Sequence, residues 1–280
     1  MEHVRKPAWL KIKLGGNDHF SDTLNIVESH GLHTICTSGR CPNLGECWGR
    51  GTATFMIGGD ICTRSCKFCN TKTGKPLGLN LNEPSNVAKS IQLMGLKHAV
   101  ITSVDRDDLP DQGAQHWVNT INKIKTVNPS TTIEVLIPDF QGQTSLIDMV
   151  CDAKPNVISH NMETVRRLTP KVRSAAKYDV SLSVLKRIAE NGLKAKSGMM
   201  VGLGETTEEI FELMDDLLKV NCSVLTIGQY LQPTRKHLPV AAYIHPDEFK
   251  KFKEVALQKG FDYVESGPLV RSSYHAENCL

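Results

Sequence analysis

From residue 54 to residue 260 the chain alternates between two hydrophobic patterns. Short apolar runs rich in β-branched residues fall at 54–59, 98–104, 132–137, 156–160, 196–201 and 223–229. Each reads as a buried strand. A longer stretch follows each one, at 84–94, 115–127, 145–153, 179–191, 207–220 and 246–259. There the apolar residues recur three and four apart, which predicts helices. In 207–220, Ile210, Leu213, Met214, Leu217 and Leu218 share one face, and Thr206 with Glu209 forms a capping box at its start. Pro84 suits a first helical turn, while Gly95 and Gly192 suit C-terminal caps. A last short strand is expected at 261–265.

Six strand–helix units imply a parallel sheet with right-handed crossovers. The expected class is α/β, a partial (βα)6 TIM-like barrel with N-terminal and C-terminal extensions closing over its open end. A doubly wound flat sheet is the structural alternative. Residues 1–33 read as an arm, with a short helix at 21–30 that turns Leu24, Ile26 and Val27 inward. Residues 34–51 are rich in Gly, Pro and Cys and lack a period, so a loop is expected. The division is 1–51 as an N-terminal extension, 52–260 as the barrel, and 261–280 as a C-terminal tail.

Charge narrows the picture. Lys and Arg number 33 against 30 Asp and Glu. That balance, without a basic run interleaved with aromatics, gives no footprint for nucleic acid. No apolar run approaches the ~20 residues of a membrane span. The first residues lack an apolar secretion core. Nine cysteines, an odd number crowded toward one third of the chain, fit metal ligation in a reducing, cytoplasmic compartment better than a disulfide framework.

Six of those cysteines form two triplets. Cys36, Cys41 and Cys47 read C-x4-C-x5-C, and Cys62, Cys66 and Cys69 read C-x3-C-x2-C. Three thiolates neither close a tetrahedral zinc site nor fill the four corners of a 4Fe–4S cube. An open iron binds a small ligand, so such a cluster is reactive. The rim at the strand ends is polar or glycine-rich: 102–108, 159–163, 202–205 and 229–232. A non-enzymatic zinc or electron-carrying protein is the rival reading from another class.

C-x3-C-x2-C after a strand, with Phe68 before its last cysteine, resembles the radical S-adenosylmethionine superfamily. Gly198, Met200, Gly202 and Glu205 fit that superfamily's G-x-I-x-G-x-x-E pattern, with Met200 at the usual Ile. The first triplet, the Arg271–Tyr274 motif RSSY, and the stretches VDRDDLP at 104–110, HNMET at 160–164 and YLQP at 230–233 resemble the lipoyl synthase family from about Trp9 to Ala276. The resemblance implies two 4Fe–4S clusters and S-adenosylmethionine. Cys62, Cys66 and Cys69 would hold the catalytic cluster. Cys36, Cys41, Cys47 and Ser273, with Ser272 the alternative, would hold an auxiliary cluster that donates sulfur. Phe68, Thr102, Ser103, Asn161, Glu163, Arg173, Met200, Gly202 and Glu205 would meet S-adenosylmethionine, with Asp105 a further candidate. Taken alone, Asn161 and Glu163 read equally as a helix cap, Arg173 as part of a solvated basic face, and 198–205 as a strand end and cap.

The implied reaction inserts sulfur at C6 and C8 of an octanoyl chain on a lysine of a lipoyl carrier domain. The implied partners are octanoylated carrier domains, an electron donor such as flavodoxin or ferredoxin, and an iron–sulfur carrier that rebuilds the auxiliary cluster. The chain is expected to be a monomer that binds neither nucleic acid nor membrane. Methylthiolating and biotin-forming radical enzymes are rivals, but they place their extra cysteines differently. Thr37-Ser-Gly-Arg40 departs from the family's usual acidic pair, Asn70 from a frequent Asp, and Gln112 from a frequent Gly. Cys151 and Cys222 read as small core residues, and Cys279 has no assignable partner.

Overall fold

The computed structural model describes residues 6–11, 18–50 and 52–280; the remainder of the expected N-terminal arm lies outside the described residues. In chain order the elements are α1 (Asp18–Ser29), β1 (His33–Thr34), α2 (Ile35–Ser38), α3 (Leu44–Gly49), β2 (Thr54–Ile57), β3 (Ile61–Cys62), β4 (Lys72–Thr73), α4 (Glu83–Leu93), β5 (His98–Ser103), α5 (Ala114–Val127), β6 (Thr132–Leu136), α6 (Thr144–Asp152), β7 (Val157–Ser159), α7 (Thr169–Val172), α8 (Tyr178–Glu190), β8 (Lys194–Val201), α9 (Thr207–Lys219), β9 (Val224–Gln229), α10 (Pro246–Lys259) and β10 (Tyr263–Gly267). The stretch expected as a loop at 34–51 instead contains α2 and α3. They span only four and six residues, too few for a 3.6-residue period to stand out.

The main sheet runs β1-β2-β5-β6-β7-β8-β9-β10. Every pairing from β2 to β10 is parallel, and β1 is an antiparallel edge. Strand order follows chain order without reversal. A doubly wound sheet reverses at a switch point, so the order is that of barrel winding. β1 and β10 do not pair with each other, and the barrel stays open there.

The helices cover the outer face. On α9, Ile210, Leu213, Met214 and Leu217 are buried, and both arms of the Thr206–Glu209 capping box are formed. Burial of each such side chain is worth about 1.5–3 kcal/mol. Inside the barrel, Lys196 donates to both carboxylate oxygens of Glu134, at 2.8 and 2.9 Å, and Ser159 Oγ donates to Glu134 Oε1 at 2.9 Å. Removing one partner of a buried pair of this kind would leave the other an uncompensated buried charge.

After β10 the chain turns and descends along the inner faces of β9 and β8. A Cβ on Gly228 would lie 2.2 Å from the Val270 carbonyl oxygen, so only glycine lets the tail backbone approach there. Near its end Cys279, which has no partner predictable from sequence, lies buried with Val157 and Val224. Its carbonyl accepts a hydrogen bond from Lys194 Nζ at 2.7 Å. The N-terminal segment grips the tail from outside: Asn43 Nδ2 donates to Leu269 O at 2.7 Å, Tyr274 Oη donates to Glu46 Oε1 at 3.2 Å, and Arg50 pairs with Glu277 at 3.5 Å. Among the described residues no helix is long and apolar enough to cross a membrane.

Candidate active site

The cavity sits where parallel strands end, as in barrel folds generally. Its volume is about 540 Å³. β2 delivers the chain into the small β3–β4 ribbon, in which Cys62 pairs with Thr73. The loop beyond Cys62 is locked by Arg64. Its Nε and Nη2 donate to Asp107 Oδ2 and Oδ1, both at 2.8 Å, and Nη2 also reaches Asp139 Oδ1 at 2.7 Å. Asp107 follows β5 and Asp139 follows β6, so one guanidinium ties the cysteine loop to two strand ends. A bidentate fork of this kind fixes orientation as well as distance.

That anchoring presents Cys62, Cys66 and Cys69 to the cavity. Cys62 Sγ accepts backbone N–H groups from Arg64 and Asp105, both at 3.4 Å, and its thiol donates to Asp105 Oδ2 at 3.5 Å. Burial, with the Asp105 carboxylate beside it, pushes the Cys62 thiol up to about 12 and Cys66 up to about 11. Burial also raises Cys69. These sulfurs become thiolates when a cation such as iron takes the place of the proton.

The other triplet opens on the same space. Cys36, on α2, and Cys41 line the cavity. Thr34 caps α2 by accepting the Thr37 N–H at 3.3 Å. Cys47, on α3, is not on the cavity wall. Burial, then the neighbouring Cys41 and Cys36, push its thiol up to about 12. Facing them from the tail are Ser272 and Ser273. Among the described residues no three His, Cys, Asp or Glu side chains form a group that could hold a single metal ion. Each triplet supplies three sulfur donors, one short of the four corners of a 4Fe–4S cube, so each set fits a cluster whose fourth corner takes another ligand.

Phe68, Thr102, Ser103, Asn161, Glu163, Arg173 and Met200 all contribute to the wall. Asn161 Nδ2 donates to Glu163 Oε1 at 3.1 Å and to Ser272 Oγ at 2.8 Å, while its buried Oδ1 has no partner among the described residues. A buried amide oxygen without a partner costs free energy unless a ligand supplies a donor. Glu163 has a left-handed φ of 64°. That conformation is secured by its N–H to Gly198 O at 3.0 Å and by Met200 N–H to its carbonyl at 2.9 Å. Burial raises its carboxyl pKa, opposed by Arg173. Arg173 is fastened by Nη1 to Ser181 Oγ at 2.8 Å.

Gly202 and Glu205 stand off the wall. Glu205 accepts the N–H groups of Gly202 and, at 2.9 Å, Leu203. Gly202 has φ 97°, and a Cβ there would collide with Gln229 Nε2 and Ala242 O. In this structure the pair closes a turn ahead of α9.

Three contributors escape a reading of the sequence alone. Arg64 lies within the cysteine spacing and Asp139 ends β6, a strand end given no role above. Arg271 lines the cavity, with Cys41 and Glu163 beside it and burial lowering its pKa. The signals were present in CTRSC, in the Pro-Asp after the third strand, and in RSSY.

The sequence pattern of the radical SAM superfamily matches residues 56–217. A lipoyl synthase from Parabacteroides distasonis is 71% identical over 276 residues, covering 99% of this chain and 98% of that one. One from Porphyromonas gingivalis is 66% identical over 280 residues, covering 100% and 99%. One from Treponema denticola is 61% identical over 273 residues, covering 98% and 94%. Among solved structures, methylornithine synthase (PylB) superposes with a TM-score of 0.56 at 13% identity, covering 93% of this chain and 86% of that one. Streptococcus suis SuiB bound to S-adenosylmethionine gives 0.59 at 12% identity, covering 80% and 54%.

Proposed function

The chain belongs to the lipoyl synthase family of the radical SAM superfamily, and from that premise we propose which of its residues perform the family's reaction. The enzyme inserts two sulfur atoms, at C6 and C8, into a protein-bound octanoyl chain, using S-adenosylmethionine and 4Fe–4S clusters. When bound, the clusters would supply the electron for reductive cleavage of S-adenosylmethionine and the sulfur for insertion.

Cys62, Cys66 and Cys69 hold the first cluster, and Cys36, Cys41, Cys47 and Ser273 the second. One observation carries this assignment: thiols of both triplets and the RSSY hydroxyls open onto a single cavity. Ser272 accepts the Asn161 amide, whereas Ser273 Oγ has no hydrogen-bond partner among the described residues, which favours Ser273 as the oxygen ligand. Its harder oxygen makes that corner easier to open than a thiolate corner.

The other residues bind and orient. The Asn161 Oδ1 acceptor and the Glu163 carboxylate receive donors of S-adenosylmethionine, and Arg173 faces its carboxylate. Thr102, Ser103, Phe68 and Met200 complete that wall, while Gly202 and Glu205 support it from behind. Met56, Val100 and Met199 give the alkyl chain an apolar lining that excludes water from a reactive carbon centre. Held between two sulfur triplets, the chain meets the abstracting and the donating side without leaving the cavity.

Residues 1–51 and 261–280 act as extensions that complete a barrel of 52–260. A flavodoxin- or ferredoxin-like donor reduces the chain, an iron–sulfur carrier restores its auxiliary cluster, and it works as a monomer in a reducing, cytoplasmic compartment. Its nine free cysteines support the last point.

The test separates the two triplets. Cys36→Ala abolishes lipoyl product on an octanoylated carrier yet still yields 5′-deoxyadenosine. Cys62→Ala abolishes both. Lipoyl product from Cys36→Ala would refute the sulfur assignment.

A further inference from the structure

Three loops meet at the mouth of the cavity and are stitched to one another. Asn70 Nδ2 donates to Ser38 O at 2.9 Å, Arg40 Nη1 donates to Pro233 O at 3.3 Å, His237 Nε2 meets Cys69 O at 2.9 Å, and Leu238 N–H donates to Lys67 O at 3.1 Å. Arg40, Asn70 and Pro233 also line the cavity, which places the seam at its rim.

The composition of these loops is one-sided. Residues 36–41, 62–73 and 231–240 contain no Asp or Glu. They carry Arg40, Lys67, Lys72, Arg235 and Lys236, all exposed. Lys72 pairs with Asp60 at 2.7 Å. Among the described residues the other four form no ion pair. Some cations of the outer helices are instead paired, Arg187 with Asp148 and Lys251 with Glu248. With a net charge of only +3 for the whole chain, these three loops hold a local excess of positive charge, in contrast to the acidic rim segment 104–111.

Neither small molecule of the reaction calls for that excess. The octanoyl chain is uncharged, and S-adenosylmethionine, with a sulfonium, an ammonium and one carboxylate, is a net cation. The macromolecule that must touch this rim is the one whose acyl-lysine passes through it. We propose that the three loops form a docking collar for an acidic face of the folded carrier domain, around the lysine that bears the octanoyl chain. This rests on the reading of the chain as an enzyme acting on carrier-bound octanoyl groups. Rim charges of this kind steer encounter and set partner choice. They are screened over about 10 Å at 0.1 M salt.

The experiment uses the cluster-loaded full chain, dithionite as reductant, and two substrates. One is an acidic octanoylated carrier domain, the other a short neutral peptide carrying octanoyl-lysine. Arg235→Glu combined with Lys236→Glu alters exposed side chains that are not part of the cavity wall. The collar predicts that KM for the carrier domain and its directly titrated Kd both rise by about tenfold or more, with kcat and all peptide kinetics unchanged. Raising salt should weaken the wild-type carrier complex and leave peptide turnover alone. Equal effects on carrier and peptide, or none on either, would overturn the docking collar. So would a loss seen only when an acidic protein reductant replaces dithionite, since the collar would then serve the reductant. Wild-type chain that turns over neither substrate would instead count against the underlying functional reading.

Discussion

Asn161 Nδ2 donates to Ser272 Oγ at 2.8 Å across 111 residues of sequence. This bond joins the end of β7 to the tail and engages one of two adjacent hydroxyls. Ser272 and Ser273 therefore differ in a way their motif does not reveal. Ser273→Ala should lower iron from about eight toward about four per chain and abolish lipoyl product while sparing S-adenosylmethionine cleavage. Ser272→Ala should keep its iron. Iron analysis with product assay decides, and reversed phenotypes would exchange the two roles.

Arg64 serves three carboxylates, Asp105, Asp107 and Asp139, with one side chain, and only 6% of that side chain is exposed. Arg64→Met leaves Asp139 buried without its cation. Breaking a buried pair from one side costs about 3–5 kcal/mol. Urea unfolding should record a loss of that order, and the loosened Cys62–Cys66 loop should lower retention of the first cluster. Loss of stability below about 1 kcal/mol would show that the fork contributes little.

His160 is buried beneath the site, with Nδ1 2.9 Å from Ile137 O and Nε2 3.0 Å from Ser181 Oγ. Burial first, then the neighbouring Arg173, push its imidazole down to about 4. An unfolded histidine takes up its proton near 6.5. Above 6.5 both states are neutral, and the stability is intact. Between about 6.5 and 4 the unfolded state binds the extra proton, so stability falls as pH falls through that window. At about 1.4 kcal/mol per unit the loss reaches about 3 kcal/mol. Denaturation midpoints across that range, compared between the parent chain and His160→Gln, should show a shallower dependence in the variant.

Gly228 lies against the backbone of Val270, where a Cβ would come within 2.2 Å of the carbonyl oxygen. Backbone on both sides cannot yield as a side chain would. Gly228→Ala should displace the tail, expose the bond after Arg271 to trypsin and suppress lipoyl product. A tail as resistant to trypsin as that of the parent chain would refute the close approach.

Much of the barrel was legible because its signals are local. The helix expected at 246–259 is α10 to the residue, and the capping box at Thr206 forms as its spacing requires. The cysteine triplets are equally local, each within about a dozen residues. The fork of Arg64 was not legible, since its partners follow two different strands. Glu205 looked like a cavity residue in its motif, but its carboxylate turns back onto its own loop.

The sequence by itself determined the alternation of strands and helices, their parallel winding and the two incomplete thiol sets. Periodicity and spacing encode those features within one or two turns of chain. Only the tertiary structure decided that thiols of both sets open onto one cavity and that the tail enters the barrel beside them. Contacts such as Asn43 to Leu269, 226 residues apart, depend on sheet curvature and on an open seam between β1 and β10. Those follow from how all the strands pack together, which no local pattern records.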